Sequence, residues 1–306
     1  MSLLDLKSSF GARMREPGAG PNLIGRRPAR APALGRLLAV PGARPGAALL
    51  LFILVLAVFG PLLRPGDPMR IVGPALVWPG QDAAFPLGTD GLGRDLLTGI
   101  LHGARISVTI GLAVAVLSLG FGVLVGAIAG YAGGRIDRAI CRGIEVFQTI
   151  PGFVLLVVLV AVLEPSFVTV ILGLALISWD MVARLTRAEV RAHRTRDYVV
   201  AAEAFGFSHP RILVREILPN IAPTLIVTGS VIVASAILSE SALSFLGLGD
   251  PNTVSWGSLI GAGREHIRSA WYLTAIPGVF IALTVLALNL LGDALNDFLN
   301  PRGQDR

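Results

Sequence analysis

The chain is poor in the residue types that most enzymes use. Among its 306 residues it has a single cysteine, Cys141, and charged residues make up only 15%, against about a quarter in ordinary soluble proteins. One cysteine excludes an internal disulfide. The four histidines are scattered without the spacing of metal ligands, so we expect no metal site. They are His102, His193, His209 and His266.

Lysine is equally scarce: Lys7 is the only one in the chain. No glycine-rich run leads into it. A phosphate-binding P-loop needs a lysine directly after such a run. The chain is therefore predicted to bind no nucleotide and to need no cofactor. It also lacks a Ser/His/Asp set and suitably spaced paired carboxylates, so we expect a protein that is not an enzyme. If ATP drives it, another polypeptide hydrolyses that ATP.

Apolar residues, in contrast, make up 53% of the chain. They form six segments long enough for a hydrocarbon core of about 30 Å. These lie near 47–63, 107–130, 143–163, 167–186, 221–247 and 271–293. The pattern predicts an all-α membrane protein with six transmembrane helices. Gly122, Gly126 and Gly130 share one face of the second segment and predict close helix packing.

The predicted organisation follows from these segments. Residues 1–46 are rich in Pro, Gly and Arg and are predicted to be a basic, mostly disordered cytoplasmic tail. The first span, 47–63, is predicted to be uncleaved and is followed by an external loop, 64–106. A core domain with five spans then covers 107–293 and includes a cytoplasmic loop at 187–220. Residues 294–306 form the C-terminus.

The basic residues indicate the orientation. They concentrate in the tail, in 131–142 and in the loop after span four, whereas the intervening loops balance fewer bases with acids. The positive-inside rule then places both termini in the cytoplasm. Because these bases lie between apolar runs and not in a stripe with aromatics, we expect no nucleic-acid partner.

The loop after span four is predicted to contain a short interfacial helix over 201–213. Ala201, Ala202 and Ala204 favour helix, and Gly206 can end it. The run Ser208-His209-Pro210 predicts a turn and a new helix N-terminus, and Pro219 with Pro223 predicts re-entry into the membrane. Such a helix is either a docking element for a partner or an ordinary connector, and the residues alone leave both open.

This segment resembles the cytoplasmic motif of ABC importer permeases, a Glu-Ala-Ala-x-x-x-Gly pattern followed by Leu-Pro. Ala201, Ala202, Gly206 and Leu218-Pro219 match it, whereas Val200 occupies the position of the glutamate. Glu203, one helical turn later, is a partial substitute. Three further segments match in order: 86–107, 241–257 and 292–302. Over residues 45–303 the chain is similar to the C-type permease subunit of dipeptide, oligopeptide and nickel importers.

The resemblance implies a type I ABC importer permease fold in a bacterial or archaeal cytoplasmic membrane. It implies a second homologous permease, two ATP-binding cassette ATPase subunits, an external solute-binding protein and surrounding lipid as partners, with alternating access as the mechanism. The resemblance does not determine which solute is transported. The residues implied in ATPase coupling are Ala201, Ala202, Glu203, Ala204, Gly206, Ser208, Arg211, Leu218 and Pro219.

The predicted external loop carries a glycine-punctuated charged run. It comprises Gly88, Thr89, Asp90, Gly93, Arg94 and Asp95. Two interpretations stay open: the run shapes an external vestibule or meets a substrate-delivering protein, or an Asp–Arg network merely orders the loop.

Three acids, Asp180, Glu240 and Asp293, fall in or near predicted spans, where carboxylates are costly and often mark ion pathways. Asp293 lies close to the cytoplasmic end of its span and is expected to be solvated. For Asp180 we expect Arg184 as partner, one turn away, and for Glu240 the hydroxyls of Ser239 and Ser241. Asp180 and Glu240 support an alternative function, an ion-gradient-driven secondary transporter that uses both acids. Against it, the two halves of the sequence show no inverted repeat.

Overall fold

The computed structural model describes residues 37–299, and within them the chain forms helices and no β-strand. The all-α prediction is confirmed. The helices are α1 (Ala43–Leu63), α2 (Leu96–Ala132), α3 (Gly134–Phe147), α4 (Gly152–Leu163), α5 (Phe167–Arg194), α6 (Asp197–Ala204), α7 (His209–Phe245), α8 (Trp256–Gly263) and α9 (Tyr272–Leu299).

Five of these helices, α1, α2, α5, α7 and α9, are long and apolar enough to cross a membrane. The predicted third span is instead divided between α3 and α4, which meet at a bend of 72°, so that six crossings result if the pair counts as one. The bend has a local cause, because Pro151 disfavours helical geometry at Ile150 and α4 restarts directly after it. With 12 residues, α4 alone is too short for a core of about 30 Å.

Several boundaries differ from the predicted ones. Helix α1 begins at Ala43 and not at 47, and α2 begins at Leu96 and not at 107, so that the end of the predicted external loop is helical. Asp95 causes this early start, because its side chain accepts hydrogen bonds from the N–H groups of Leu97 and Thr98. Of the predicted tail, residues 1–36 lie outside the described residues, as do residues 300–306 at the C-terminus.

Helices α2 and α5 pack closely through the predicted glycine face. A Cβ added at Gly122 would come within 2.5 Å of the Val182 side chain, and one at Gly130 within 2.7 Å of the Arg187 carbonyl oxygen. At Gly126 it would collide with the backbone of Ala183. The glycines therefore let the two backbones approach to a distance that no larger residue permits.

The bundle has two distinguishable ends, which we call the α6 end and the α8 end. At the α8 end, Trp256 is fully buried and its indole N–H donates to the Ile100 carbonyl at 3.1 Å. The Tyr272 hydroxyl donates to the carbonyls of Val77 and Thr89 there, each at 2.9 Å. Helix α7 joins the ends, since its 37 residues extend roughly 55 Å.

Large apolar side chains cover much of the outer surface. On α1, Leu51, Val58 and Leu62 are all more than half exposed. Such a surface is unfavourable in water, and the bilayer or a second membrane subunit must cover it.

Candidate functional site

The candidate docking helix, α6, covers Asp197–Ala204 and not the predicted 201–213. Residues 209–213 belong to the start of α7, so that this long helix begins well before the predicted membrane re-entry at 221. The new helix N-terminus predicted at Ser208-His209-Pro210 is confirmed, with proline at one of the first positions of α7, where it is tolerated. The predicted extent of the docking helix to residue 213 is wrong, because α6 ends before Gly206 and the following residues belong to α7.

Gly206 ends α6, as predicted. Its φ angle is +76°, and its N–H donates to the Glu203 carbonyl at 2.9 Å, while the N–H of Phe207 donates to that of Ala202 at 3.1 Å. These two bonds form a Schellman motif, which requires a left-handed residue at the glycine position. Apart from its two chain neighbours, no atom of residues 37–299 lies within 4 Å of a Cβ built at Gly206, so this part of the structure leaves the surface in front of it open.

The inner face of α6 is anchored in an apolar cluster. Val199 and Ala202 are buried, and they pack with residues of α5 and α7. The other members of this cluster are Ala127, Val190, Ile212, Ile217 and Ile221, with Tyr198 and Phe207 at its edge. A displacement of α6 therefore acts directly on two long helices.

The outer face of α6 is exposed and combines apolar side chains with two acids, of which Asp197 lies in its first turn. Val200 is 55% exposed and Phe205 80% exposed, with the small Ala201 and Ala204 and the acidic Glu203 exposed beside them. Sequence reasoning missed Phe205, because residues 199, 202 and 205 form an apolar stripe that predicts burial. The chain reverses at Gly206 instead, and Phe207 takes the inner position.

The remaining predicted coupling residues lie on the start of α7. The Arg211 guanidinium stacks over the Phe207 ring at 4.1 Å, and the Ser208 carbonyl accepts the first helical bond, from Ile212 at 3.0 Å. Leu218 packs on the cluster beneath α6, whereas Pro219 is exposed. Residues Ile212–Ile217 form a π-helical turn, a feature often found at functional sites.

Polar contacts hold this region against the bundle. The Tyr131 hydroxyl is hydrogen-bonded to His209 Nδ1 at 2.8 Å, and the Tyr198 hydroxyl to His193 Nδ1 at 2.7 Å. Burial raises the pKa of Tyr198, so that it stays a neutral phenol. Arg194 donates to the Tyr131 carbonyl at 2.6 Å. With His102, whose Nε2 is hydrogen-bonded to the Arg64 carbonyl at 3.1 Å, three of the four histidines have structural partners.

The charged run before α2 makes most of its polar contacts within the loop, besides the hydrogen bond from Tyr272 to the Thr89 carbonyl. The Thr89 hydroxyl is buried and donates to the Pro74 carbonyl at 2.6 Å, and Asp90 accepts from the N–H groups of Leu92 and Arg94, each at 2.8 Å. Asp95 caps α2.

Gly88 and Gly93 both have φ angles of +80° and lie against the backbone, of Val77 and Gly73 respectively. The run thus orders the loop through backbone contacts, whereas the predicted Asp–Arg network does not form among the described residues, where Arg94 Nε has no hydrogen-bond partner. A vestibule role for these residues stays a prediction.

Asp180 is nearly buried within α5. The predicted partner, Arg184, lies 3.9 Å away, and the Gln148 side-chain amide, which sequence reasoning missed, donates to the same carboxylate oxygen. Arg184 in turn donates from Nη1 to the side-chain oxygen of Gln148, Oε1, at 3.1 Å. Gln148 lies at the bend between α3 and α4, far from Asp180 in the sequence, so no local sequence pattern predicts its contact with α5.

Glu240 is 3% exposed, and its partners differ from the predicted ones. Its Oε1 accepts from the hydroxyls of Ser244 at 2.8 Å and Ser255 at 2.6 Å. Ser241, which was expected to contribute, donates to the Ile237 carbonyl instead, because a helical serine reaches back one turn.

Comparison with known proteins identifies the family. The family model described as "Binding-protein-dependent transport system inner membrane component" matches residues 122–304. The di/tripeptide transport system permease protein DppC of Pseudomonas aeruginosa is 40% identical to the chain over 267 residues, which cover 85% of the chain and 88% of that relative.

The dipeptide transport system permease proteins DppC of Haemophilus influenzae and Bacillus subtilis are similar to the chain as well. They are 38% and 39% identical over 85% and 84% of it, and these matches cover 90% and 81% of the two relatives.

The chain is a multi-pass protein of the bacterial inner membrane with a type I ABC permease fold. It belongs to the dipeptide/oligopeptide ABC permease family of binding-protein-dependent transport systems.

Proposed function

We propose that the chain is the non-catalytic permease subunit of an ATP-driven importer for peptides, and that α6 is its contact with the ATPase subunits. The names of the relatives, which are di/tripeptide and dipeptide permeases, support peptides as the transported solute. The observation that carries the docking role is the exposed apolar surface that Val200 and Phe205 form at the end of α6, held on a buried cluster. An exposed aromatic beside small residues fits a groove on a partner.

The proposed orientation places the α6 end in the cytoplasm. Arginines concentrate there, on α3 and on the segments around α6, as the positive-inside rule requires. The chain termini then face the cytoplasm as well. The α8 end faces outward, where the loop before α2 would meet an external solute-binding protein.

The proposed mechanism is alternating access. Two ATPase subunits, one under this chain and one under a second homologous permease, approach each other when they bind ATP. They displace α6, and the buried cluster transmits the displacement to α5 and α7 because Val199 and Ala202 are buried against residues of both helices. The spans then rock and open the solute pathway outward, and hydrolysis returns them.

The experiment is gentle purification of the tagged chain from its native membrane, with mass spectrometry of the proteins that accompany it. We expect a second six-span permease and ATPase subunits in comparable amounts. A Gly206→Trp chain, whose indole fills the open space before α6, should retain the second permease and lose the ATPases. If the wild-type chain is isolated alone or only with copies of itself, the proposal is wrong, and ion-driven uptake through Asp180 and Glu240 becomes the function to test.

A further inference from the structure

Glu240 connects α7 to the start of α8. Its Oε1 accepts from Ser244 on its own helix and from Ser255, the N-cap residue of α8, at 2.8 and 2.6 Å. The Ser255 hydroxyl oxygen also accepts from the N–H of Ser258 at 3.0 Å, within a capping box. The carboxyl group thus holds the hydroxyl that organises the first turn of α8.

The two helices touch at backbone distance beside this carboxyl. A Cβ added at Gly257 would lie 2.6 Å from Ser241 Cα and 2.8 Å from Glu240 Oε2, and one at Gly261 would lie 2.6 Å from the Ser244 carbonyl oxygen. Among the described residues, Oε2 has no hydrogen-bond partner, and it points at the first turn of α8.

Helix α7 is continuous from the docking region to this contact. It begins at His209, three residues after the glycine that ends α6, and reaches Phe245 at the α8 end. Helix α8 is also attached to α2, because the backbone N–H of Trp256 donates to the Ser107 hydroxyl at 3.1 Å. A displacement that enters α7 at one end can therefore reach α8 at the other.

We propose that Glu240 is a positioning residue that fastens the first turn of α8 to α7, so that α8 moves with α7 during each transport cycle. The proposal rests on the proposed function, since α6 must receive the displacement from the ATPases. Glu240 acts as a hydrogen-bond acceptor and carries no proton or ion along the pathway. The isosteric glutamine, which keeps the accepting oxygen, should therefore replace it.

The test uses the complete complex in lipid vesicles, with the variants Glu240→Ala, Glu240→Gln and Ser255→Ala. Glu265→Ala is the matched control, because Glu265 is exposed at the same end of the bundle. Three quantities are measured: ATP hydrolysis, uptake of a labelled dipeptide per ATP, and hydrogen exchange of the amides of residues 256–263. Exchange reports the attachment of α8 even where transport fails.

Glu240→Ala leaves the hydroxyls of Ser244 and Ser255 without their acceptor, so we expect exchange in α8 to rise about tenfold. Uptake per ATP should fall, while ATP hydrolysis continues. Ser255→Ala should cause a similar loss, and the double variant little more, since both changes break one connection. Glu240→Gln and Glu265→Ala should resemble the wild type in all three quantities.

Two results would overturn the proposal. One is a Glu240→Ala complex with wild-type exchange in α8 and wild-type uptake per ATP. The other is a Glu240→Gln complex that transports as poorly as Glu240→Ala while α8 exchanges normally, because the acid itself would then be required. A wild-type complex without ATP-dependent uptake would refute the proposed function instead, and the coupling role of Glu240 with it.

Discussion

Arg187 on α5 forms a two-point ion pair with Asp137 on α3. Its Nη2 donates to Asp137 Oδ2 at 2.7 Å, and its Nε donates to Oδ1. The aspartate lies in the first turn of α3, where the helix dipole also favours a negative charge. This pair fastens the short amphipathic helix to a long span, on the α6 side of the bend that leads into α4.

The first prediction concerns this pair. Asp137→Ala leaves a partly buried guanidinium without its partner, and we expect it to lower the free energy of unfolding by about 1–3 kcal/mol. Thermal unfolding of the purified complex in detergent measures this. Glu145→Ala on the exposed side of α3 is the control and should have little effect. Exchanging the two residues should recover part of the loss; an exchanged pair no more stable than Asp137→Ala would argue against a direct contact.

The second prediction concerns the glycine face of α2. Gly126→Ala should force α2 and α5 apart, because its methyl group meets the Ala183 backbone, and should cost about 1–3 kcal/mol. Gly120 lies on the same helix with no atom within 4 Å, so Gly120→Ala should be neutral or stabilising by up to about 1 kcal/mol. Thermal stabilities of the two variants give the comparison. Equal effects at both positions would mean that this face is not closely packed.

The third prediction concerns the cap of α2. Asp95→Ala removes the acceptor of two backbone N–H groups and should cost about 1 kcal/mol, whereas Asp95→Asn should retain most of the cap. Hydrogen exchange at the amides of Leu97 and Thr98 reports the cap directly. Faster exchange in the alanine variant alone is the expected result. If both variants exchange faster than the wild type and equally fast, the negative charge, and not the capping geometry, stabilises this end of α2.

The fourth prediction concerns Gly206. Alanine and tryptophan there share the strain of a positive φ angle, but only tryptophan fills the open space in front of α6. We therefore expect Gly206→Ala to keep most of the ATP-driven uptake, and Gly206→Trp to lose it while the subunit still inserts and binds the second permease. Uptake and ATP hydrolysis of the reconstituted complexes distinguish the two. ATP-driven uptake at the wild-type rate with Gly206→Trp would contradict docking at this surface.

Much of this architecture was predictable because its causes are local. Apolar runs predict the spans, Gly206 predicts the end of α6, and the four-residue glycine spacing predicts the contact of α2 with α5. The early start of α2 was missed because His102 and Arg105 interrupt the apolar pattern, although Asp95 is a recognisable cap.

Contacts between distant segments could not be derived in this way. Gln148 meets Asp180 across a bend, and Ser255 meets Glu240 across the loop before α8. Neither pair shares a helical period, and only the packing of the bundle brings them together. The exposure of Phe205 was hidden for a related reason, since the reversal at Gly206 exchanges it with Phe207 as the inner residue.

The most direct test of docking through α6 is site-specific photocrosslinking in the assembled complex, with Phe205 replaced by benzoylphenylalanine. Leu246 is the control, because it is also a large apolar residue more than half exposed but lies at the α8 end. The account predicts a crosslink from position 205 to an ATPase subunit whose yield changes when ATP is added, and none from position 246. A crosslink from position 205 only to lipid or to the second permease, with the ATPase present in the complex, would contradict it.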